Sequence, residues 1–176
     1  MSPTSGRTVR SPHRSSKSEG GRVILGIDPG FGRVGWGVIQ QTANKLTAID
    51  YGVIETPAGT PFAKRLQLIY SKLTELIHSY KPQVGGVERL FFSQNTTTAM
   101  QVSEARGVIL LTLAQAKIPV HECTPQAVKQ TLSSYGRADK AQVQRMVATL
   151  LHLPSIPKPD DIADALAIAI TAATST

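Results

Sequence analysis

Hydrophobic residues along the chain alternate between two periods, and the switches between them mark out the elements. Val23-Ile-Leu-Gly-Ile27 is a continuous apolar run rich in β-branched residues, as in a strand buried on both faces. Asp28-Pro-Gly30 then turns the chain, and strand-like segments follow at about Val34 to Gln41 and Thr47 to Glu55, which predicts a three-strand meander. Between Pro61 and Tyr80 the apolar positions Phe62, Leu66, Ile69, Leu73, Leu76, Ile77 and Tyr80 recur every three or four residues, the spacing of one buried helix face. Lys81-Pro82 stops that helix, and Gln83 to Val87 supplies a fourth strand ending at Glu88.

The second half continues the alternation. Thr96 to Lys117 predicts a heavily buried helix through Met100, Val102, Ala105 and the block Val108 to Leu111, and Pro119 to Cys123 predicts a fifth strand. Thr124-Pro125 has the N-cap and first-turn proline of a helix running to about Leu132. A polar loop, Ser133 to Asp139, leads to two last helices at about Lys140 to Leu151 and Asp161 to Thr174. A meander followed by alternating helix and strand implies an α/β fold, a five-stranded mixed sheet with helices on its faces.

Residues 1 to 21 break the pattern. They combine Ser, Gly, Pro and Arg with almost no large apolar side chains, so they cannot repay the entropy of ordering and are expected to form a disordered basic tail ahead of one domain over 22–176. The chain carries +7, of which Arg7, Arg10, Arg14, Lys17 and Arg22 against Glu19 supply +4, leaving +3 on the folded part. This balance favours a polyanionic partner without distinguishing DNA from RNA or an acidic membrane surface. No stretch approaches the roughly 20 continuous apolar residues of a membrane span, and no apolar run follows the basic N-terminus as in a secretory signal, so the expected compartment is the cytoplasm. Lone Cys123 excludes an internal disulfide and reads as core packing.

The candidate chemistry is carboxylate. Asp28 and Glu88 each end an apolar strand, where α/β sheets place ligands, although Asp28 could simply open an Asp-Pro-Gly turn and Glu88 could pair with Arg89. Asp161 and Asp164 lie one helical turn apart. Acids at a helix N-terminus are favoured by its dipole, which accounts for Asp160 and Asp161; Asp164 instead interrupts the apolar face of Ile162, Ala163, Ala165, Leu166 and Ala167, where an uncompensated charge is costly. Oxygen clusters of this kind select hard cations, and three acid sites on one sheet edge suit a two-metal phosphodiesterase with ions about 3.5–4 Å apart.

Gly26-Ile-Asp-Pro-Gly30, Glu88 with Phe91, and Asp161-Ile-Ala-Asp164-Ala-Leu-Ala together resemble the RuvC family of Holliday-junction resolvases. The similarity extends through Ser103-Glu-Ala-Arg-Gly107, Val128-Lys-Gln-Thr131 and Lys140-Ala-Gln-Val143, essentially from Arg22 to Thr171. The resemblance implies an RNase H-like fold and a homodimer that nicks opposed strands of four-way junction DNA. It implies two Mg²⁺ ions per site, with Mn²⁺ able to substitute, and partnership with the RuvA and RuvB branch-migration proteins. By position, Asp28, Glu88, Asp161 and Asp164 become the catalytic metal-binding tetrad, Lys129 and Lys140 DNA contacts, and Phe91 the aromatic at the junction centre, with Phe92 competing for that role. One residue more than expected precedes the Asp-x-x-Asp pair, so Asp160 competes with Asp161. Rival readings are an actin-like or sugar-kinase ATPase, which needs a second domain and phosphate loop, a noncatalytic DNA-binding module, and a nuclease of RNA–DNA hybrids or other branched DNA.

Overall fold

A computed structural model describes residues 20–43, 45–90, 96–133 and 138–175, with only the backbone at 96 and 97. The ten elements follow the hydrophobic pattern: β1 Arg22–Asp28, β2 Arg33–Thr42, β3 Lys45–Glu55, α1 Phe62–Tyr80, β4 Val84–Glu88, α2 Thr96–Gln115, β5 Val120–Cys123, α3 Pro125–Leu132, α4 Lys140–Leu150 and α5 Asp160–Thr174. The last helix begins at Asp160, one residue ahead of the predicted start, with Asp160 and Asp161 both in its first turn. The basic tail, apart from Gly20 and Gly21, the Phe91–Phe92 pair and most of the polar loop after Ser133 lie outside the described residues.

The sheet has the order β3-β2-β1-β4-β5. The meander β1–β2–β3 is antiparallel, whereas β4 lies parallel to β1 and β5 parallel to β4, so the sheet is mixed. Helices cover both faces, as expected. On one side Leu25, Ile27, Val34 and Val87 pack with Ile69 and Leu73 of α1 and Ile109 and Leu113 of α2. On the other, Ile24, Ile39, Val84 and Cys123 pack with α3, α4 and α5 through Val128, Val147, Leu166 and Ile168. Cys123 is fully buried in that second cluster, in keeping with a packing role.

Helix α5 determines where the functional edge lies. It crosses β1, β2 and β4 closely because glycines line its path. A Cβ at Gly26 would stand 2.1 Å from the Ala165 carbonyl oxygen and one at Gly35 2.0 Å from that of Asp161, distances no side chain tolerates. With no side chain beneath it, the helix lies directly on the strands and carries its acid-bearing first turns over their ends.

Candidate active site

Parallel pairing brings two of the acids together. The last β1–β4 pair is Ile27↔Val87, so Asp28 and Glu88 come next on their strands, at one edge of the sheet. Side chains alternate across a strand. Asp28 therefore shares the α5 side with Ile24 and Gly26, and Glu88 shares it with Val84 and Gly86. From above, α5 contributes Asp164. Asp28, Glu88 and Asp164 line one cavity of about 270 Å³ together with Pro125, Val128, Lys129, Lys140 and Val143.

The cations on the cavity wall are positioned by helix caps. Thr124 caps α3, its hydroxyl oxygen accepting from the Ala127 N–H at 3.1 Å, with Pro125 in the first turn; this anchors the helix that carries Lys129. At α4 a full capping box forms: the Asp139 carboxylate accepts from the Gln142 N–H at 2.7 Å, and the Asp139 N–H donates to the Gln142 side-chain carbonyl at 3.0 Å. Lys140, the first residue of α4, thereby reaches the acids. Its Nζ lies 3.0 Å from Asp164 Oδ2 and 3.5 Å from Asp160 Oδ2.

One ammonium does not offset this much carboxylate. Burial, reinforced by the charges of Glu88, Asp164 and Asp161, pushes Asp28 up to about 8, with Lys140 opposing. Burial and Asp164 raise Glu88 above the usual carboxylate range, again against Lys140. Asp164 is also raised, because burial outweighs its hydrogen bond and ion pair with Lys140. Lys140 loses hydration but is held charged by Asp164 and Asp160, which leaves its pKa above the ordinary lysine value. A cation at this edge would relieve the crowded negative charge, and all-oxygen donors select hard divalent ions such as Mg²⁺ or Mn²⁺. Among the described residues no three His, Cys, Asp or Glu side chains already form a cage, so the fit rests on the oxygen donors and their excess charge.

Asp160 and Asp161 part company. Asp160 turns to Lys158, whose Nζ donates to it at 2.7 Å, and this ion pair holds its carboxyl below the usual range. Asp161 is absent from the cavity wall and lies 3.5 Å from Arg33 Nη1, yet its charge acts on Asp28. Arg89 does not pair with Glu88; its Nε lies 4.0 Å from Glu122 on β5. Phe91 falls outside the described residues, and so does its competitor Phe92. Two cations to which the sequence motifs give no role also reach this edge: Arg33, beside Asp161, and Arg106, whose Nε donates to the Glu88 carbonyl at 2.9 Å. The one available signal was a charge at Arg106 beside the buried stripe of Ala105, Ile109 and Leu113.

Known proteins match this chain over most of its length. The model of the family described as crossover junction endodeoxyribonuclease RuvC matches residues 24–172. A protein of that name from Heliobacterium modesticaldum is 54% identical over 153 residues, covering 87% of this chain and 94% of its own. One from a Roseiflexus species is 53% identical over 146 residues, 83% of this chain and 87% of its own. The solved structure of Thermus thermophilus RuvC in complex with a Holliday junction substrate superposes with a TM-score of 0.82 at 36% identity, covering 86% of this chain and 93% of that one. The fold is thus the RNase H-like fold of these neighbours. With the match running from β1 into α5 and over half of the aligned residues identical to the Heliobacterium and Roseiflexus proteins, the chain belongs to the RuvC family of crossover junction endodeoxyribonucleases.

Proposed function

We propose that this protein resolves four-way DNA junctions by symmetric paired nicks, using Asp28, Glu88, Asp161 and Asp164 as metal ligands, in homologous recombination and DNA repair. The observation that carries the reading is the convergence of Asp28, Glu88 and Asp164 on one cavity walled by Lys129 and Lys140. Asp161 belongs to the set through its charge coupling to Asp28 and its place one helical turn from Asp164. These four carboxylates would hold two divalent ions, Mg²⁺ or in substitution Mn²⁺, whose bound charge would supply neutralisation of the scissile phosphate and a lowered pKa for the attacking water.

The chain's own residues hold and orient. Asp28 and Glu88, fixed at the ends of buried strands, present oxygens from below, and Asp164 presents its own from α5 above. Lys140 and Lys129, exposed at the cavity rim, offer ammonium groups to the phosphates flanking the scissile bond. Phe91 is assigned to the junction centre, stacking on an unpaired base.

Paired nicks need two sites related by the junction's own symmetry, and hence an isologous dimer. Helix α2 supplies a face for it. Ala105, Ile109 and Leu113 are buried, while Met100, Glu104, Gly107 and Leu111 form an exposed stripe at spacings of four, three and four, with Met100 66% and Leu111 55% exposed. A Cβ at Gly107 would meet nothing, so this surface leaves room for a second helix to approach. Cooperation with RuvA and RuvB belongs to this reading through family membership, and a genomic DNA substrate implies a cytoplasmic enzyme.

The test is cleavage of a synthetic four-way junction, compared with linear duplex and RNA–DNA hybrid, with and without Mg²⁺ or Mn²⁺. Symmetric nicks in the junction alone, dependent on metal and lost in Asp28→Asn while binding persists, are expected. Binding without cleavage under every metal would instead support a noncatalytic module, and cleavage of the hybrid would overturn the substrate.

A further inference from the structure

Glu88 sits where the sheet runs out. Its strand has made its last pair with β1 at Ile27↔Val87, and the final rung toward β5 is the Arg89 N–H donating to the Cys123 carbonyl at 2.8 Å. The Glu88 carbonyl is taken by a side chain: Arg106 Nε donates to it at 2.9 Å. Arg106 comes from α2, on the face of the sheet opposite the cavity, and its side chain is only 17% exposed. The other arm of the same guanidinium is bound to the carboxylate of Glu122 on β5, which also faces Arg89.

Burying a guanidinium is costly unless its charge is paired and its donors used. Here the charge is paired with Glu122 and the Nε and Nη2 donors are used, and the planar fork fixes the two partners relative to each other. One bond goes to the peptide of Glu88 itself, so the plane of that peptide, and with it the starting direction of the Glu88 side chain, is locked to α2 and β5. Nε and Nη2 are both engaged within the chain and the side chain is largely shielded from solvent, so this edge of the guanidinium is committed to Glu88 and Glu122. The strand needs no such bond to stay in the sheet, because Val84 and Val87 are buried and Gly85 is bonded to the Pro119 carbonyl at 3.0 Å.

We propose that Arg106 is the positioning residue for Glu88: its guanidinium, held by Glu122, fixes the Glu88 peptide from behind the sheet so that the carboxylate is presented to the metal in the cavity. The inference rests on the proposed role of Glu88 as a ligand. Groups that orient a ligand without touching the ion typically change metal affinity or activity by about 10–100-fold when removed.

The test uses the full chain with Arg106→Gln, Arg106→Lys and Glu122→Gln. Mn²⁺ affinity is measured by calorimetry without DNA, junction affinity in Ca²⁺, and kcat and KM in Mn²⁺. Arg106→Gln is expected to weaken Mn²⁺ binding and lower kcat by about 10–100-fold, with junction affinity and KM unchanged. Arg106→Lys, which keeps the charge without the fork, fails to restore either quantity. Glu122→Gln, which leaves the bond to the carbonyl in place, gives a smaller loss in both. Wild-type Mn²⁺ affinity and kcat in Arg106→Gln would overturn the proposal, as would a loss confined to junction binding or full rescue by lysine. Should Arg106→Gln fail to fold by its melting curve, the lysine and Glu122 variants decide on the same readouts. A wild type that binds Mn²⁺ but leaves junctions uncut refutes the substrate reading, while the Mn²⁺ affinities of the variants still decide the role of Arg106.

Discussion

Asp28 shows most clearly the conflict that crowded acids at one sheet edge create. Its carboxyl is pushed from the ordinary 3.8 up to about 8, chiefly by burial and then by Glu88, Asp164 and Asp161. An acid whose pKa is higher folded than unfolded binds its proton more tightly in the folded state. Its contribution to stability is therefore complete below the unfolded value near 4 and disappears as pH rises through about 8. Glu88 and Asp164 are raised as well and act in the same direction. In chelator, the melting temperature attributable to this cluster should fall between pH 5 and pH 9, and Asp28→Asn should flatten the fall. Because cations compete with protons for the same oxygens, Mg²⁺ should raise the melting temperature more at pH 8 than at pH 5. Scanning fluorimetry across that range checks both, and equal Mg²⁺ stabilisation at the two pH values would contradict the assignment. The acids were legible in the sequence because each strand-end acid closes an apolar run and Asp164 interrupts an apolar helix face. The pairing of Lys140 with Asp164 and Asp160, and the turning of Asp160 to Lys158, were not, since lysine reach and rotamer are set by tertiary neighbours and leave no periodic trace.

Among the elements, α5 decides the shape of the site, and it does so through residues with no side chain. Gly26 and Gly35 admit the helix backbone so closely that a methyl group would collide with a carbonyl oxygen rather than with a side chain able to swing aside. Overpacking of this kind costs about 1–3 kcal/mol, occasionally more. Gly26→Ala should sit near 3 kcal/mol in urea unfolding. It should also weaken Mn²⁺ binding, because lifting α5 separates Asp164 from Asp28 and Glu88. An alanine variant with wild-type stability would show that α5 does not rest on β1 as described. The N-terminal box of α4 makes a milder case. Asp139→Ala should cost about 1 kcal/mol, the usual value of a lost cap, and loosen Lys140 without disturbing the sheet. The number, type and order of the elements could be read from the sequence, since strand and helix periods differ and Lys81-Pro82 and Thr124-Pro125 punctuate them. That the glycines form a bed for α5 was hidden, because period-2 and period-3.6 patterns report which face is apolar and say nothing about how near a helix comes to it.

At the scale of the whole molecule, the outer face of α2 is the surface the proposed dimer would use. The heavy burial expected of this helix holds on one side only: Ala105, Ile109, Thr112 and Leu113 are buried and Val108 and Leu110 pack against them, while Met100 and Leu111 stay in solvent. Met100 and Leu111 stand exposed on either side of Gly107, and a glycine inside a helix costs about 1 kcal/mol relative to alanine, a cost that the close approach of a second helix in the proposed dimer would offset. A charge placed there should be harmless to the isolated fold and damaging to the proposed dimer. Leu111→Glu should keep its circular dichroism and Mn²⁺ affinity while sedimenting as a monomer at concentrations where wild type sediments as a dimer. Its nicks on a four-way junction should lose their pairing, appearing on one strand at a time, because nothing then couples two sites across the junction's two-fold axis. Should Leu111→Glu remain dimeric and cut in pairs, the dimer face lies elsewhere on the molecule, and the α2 stripe is excluded without disturbing the metal site.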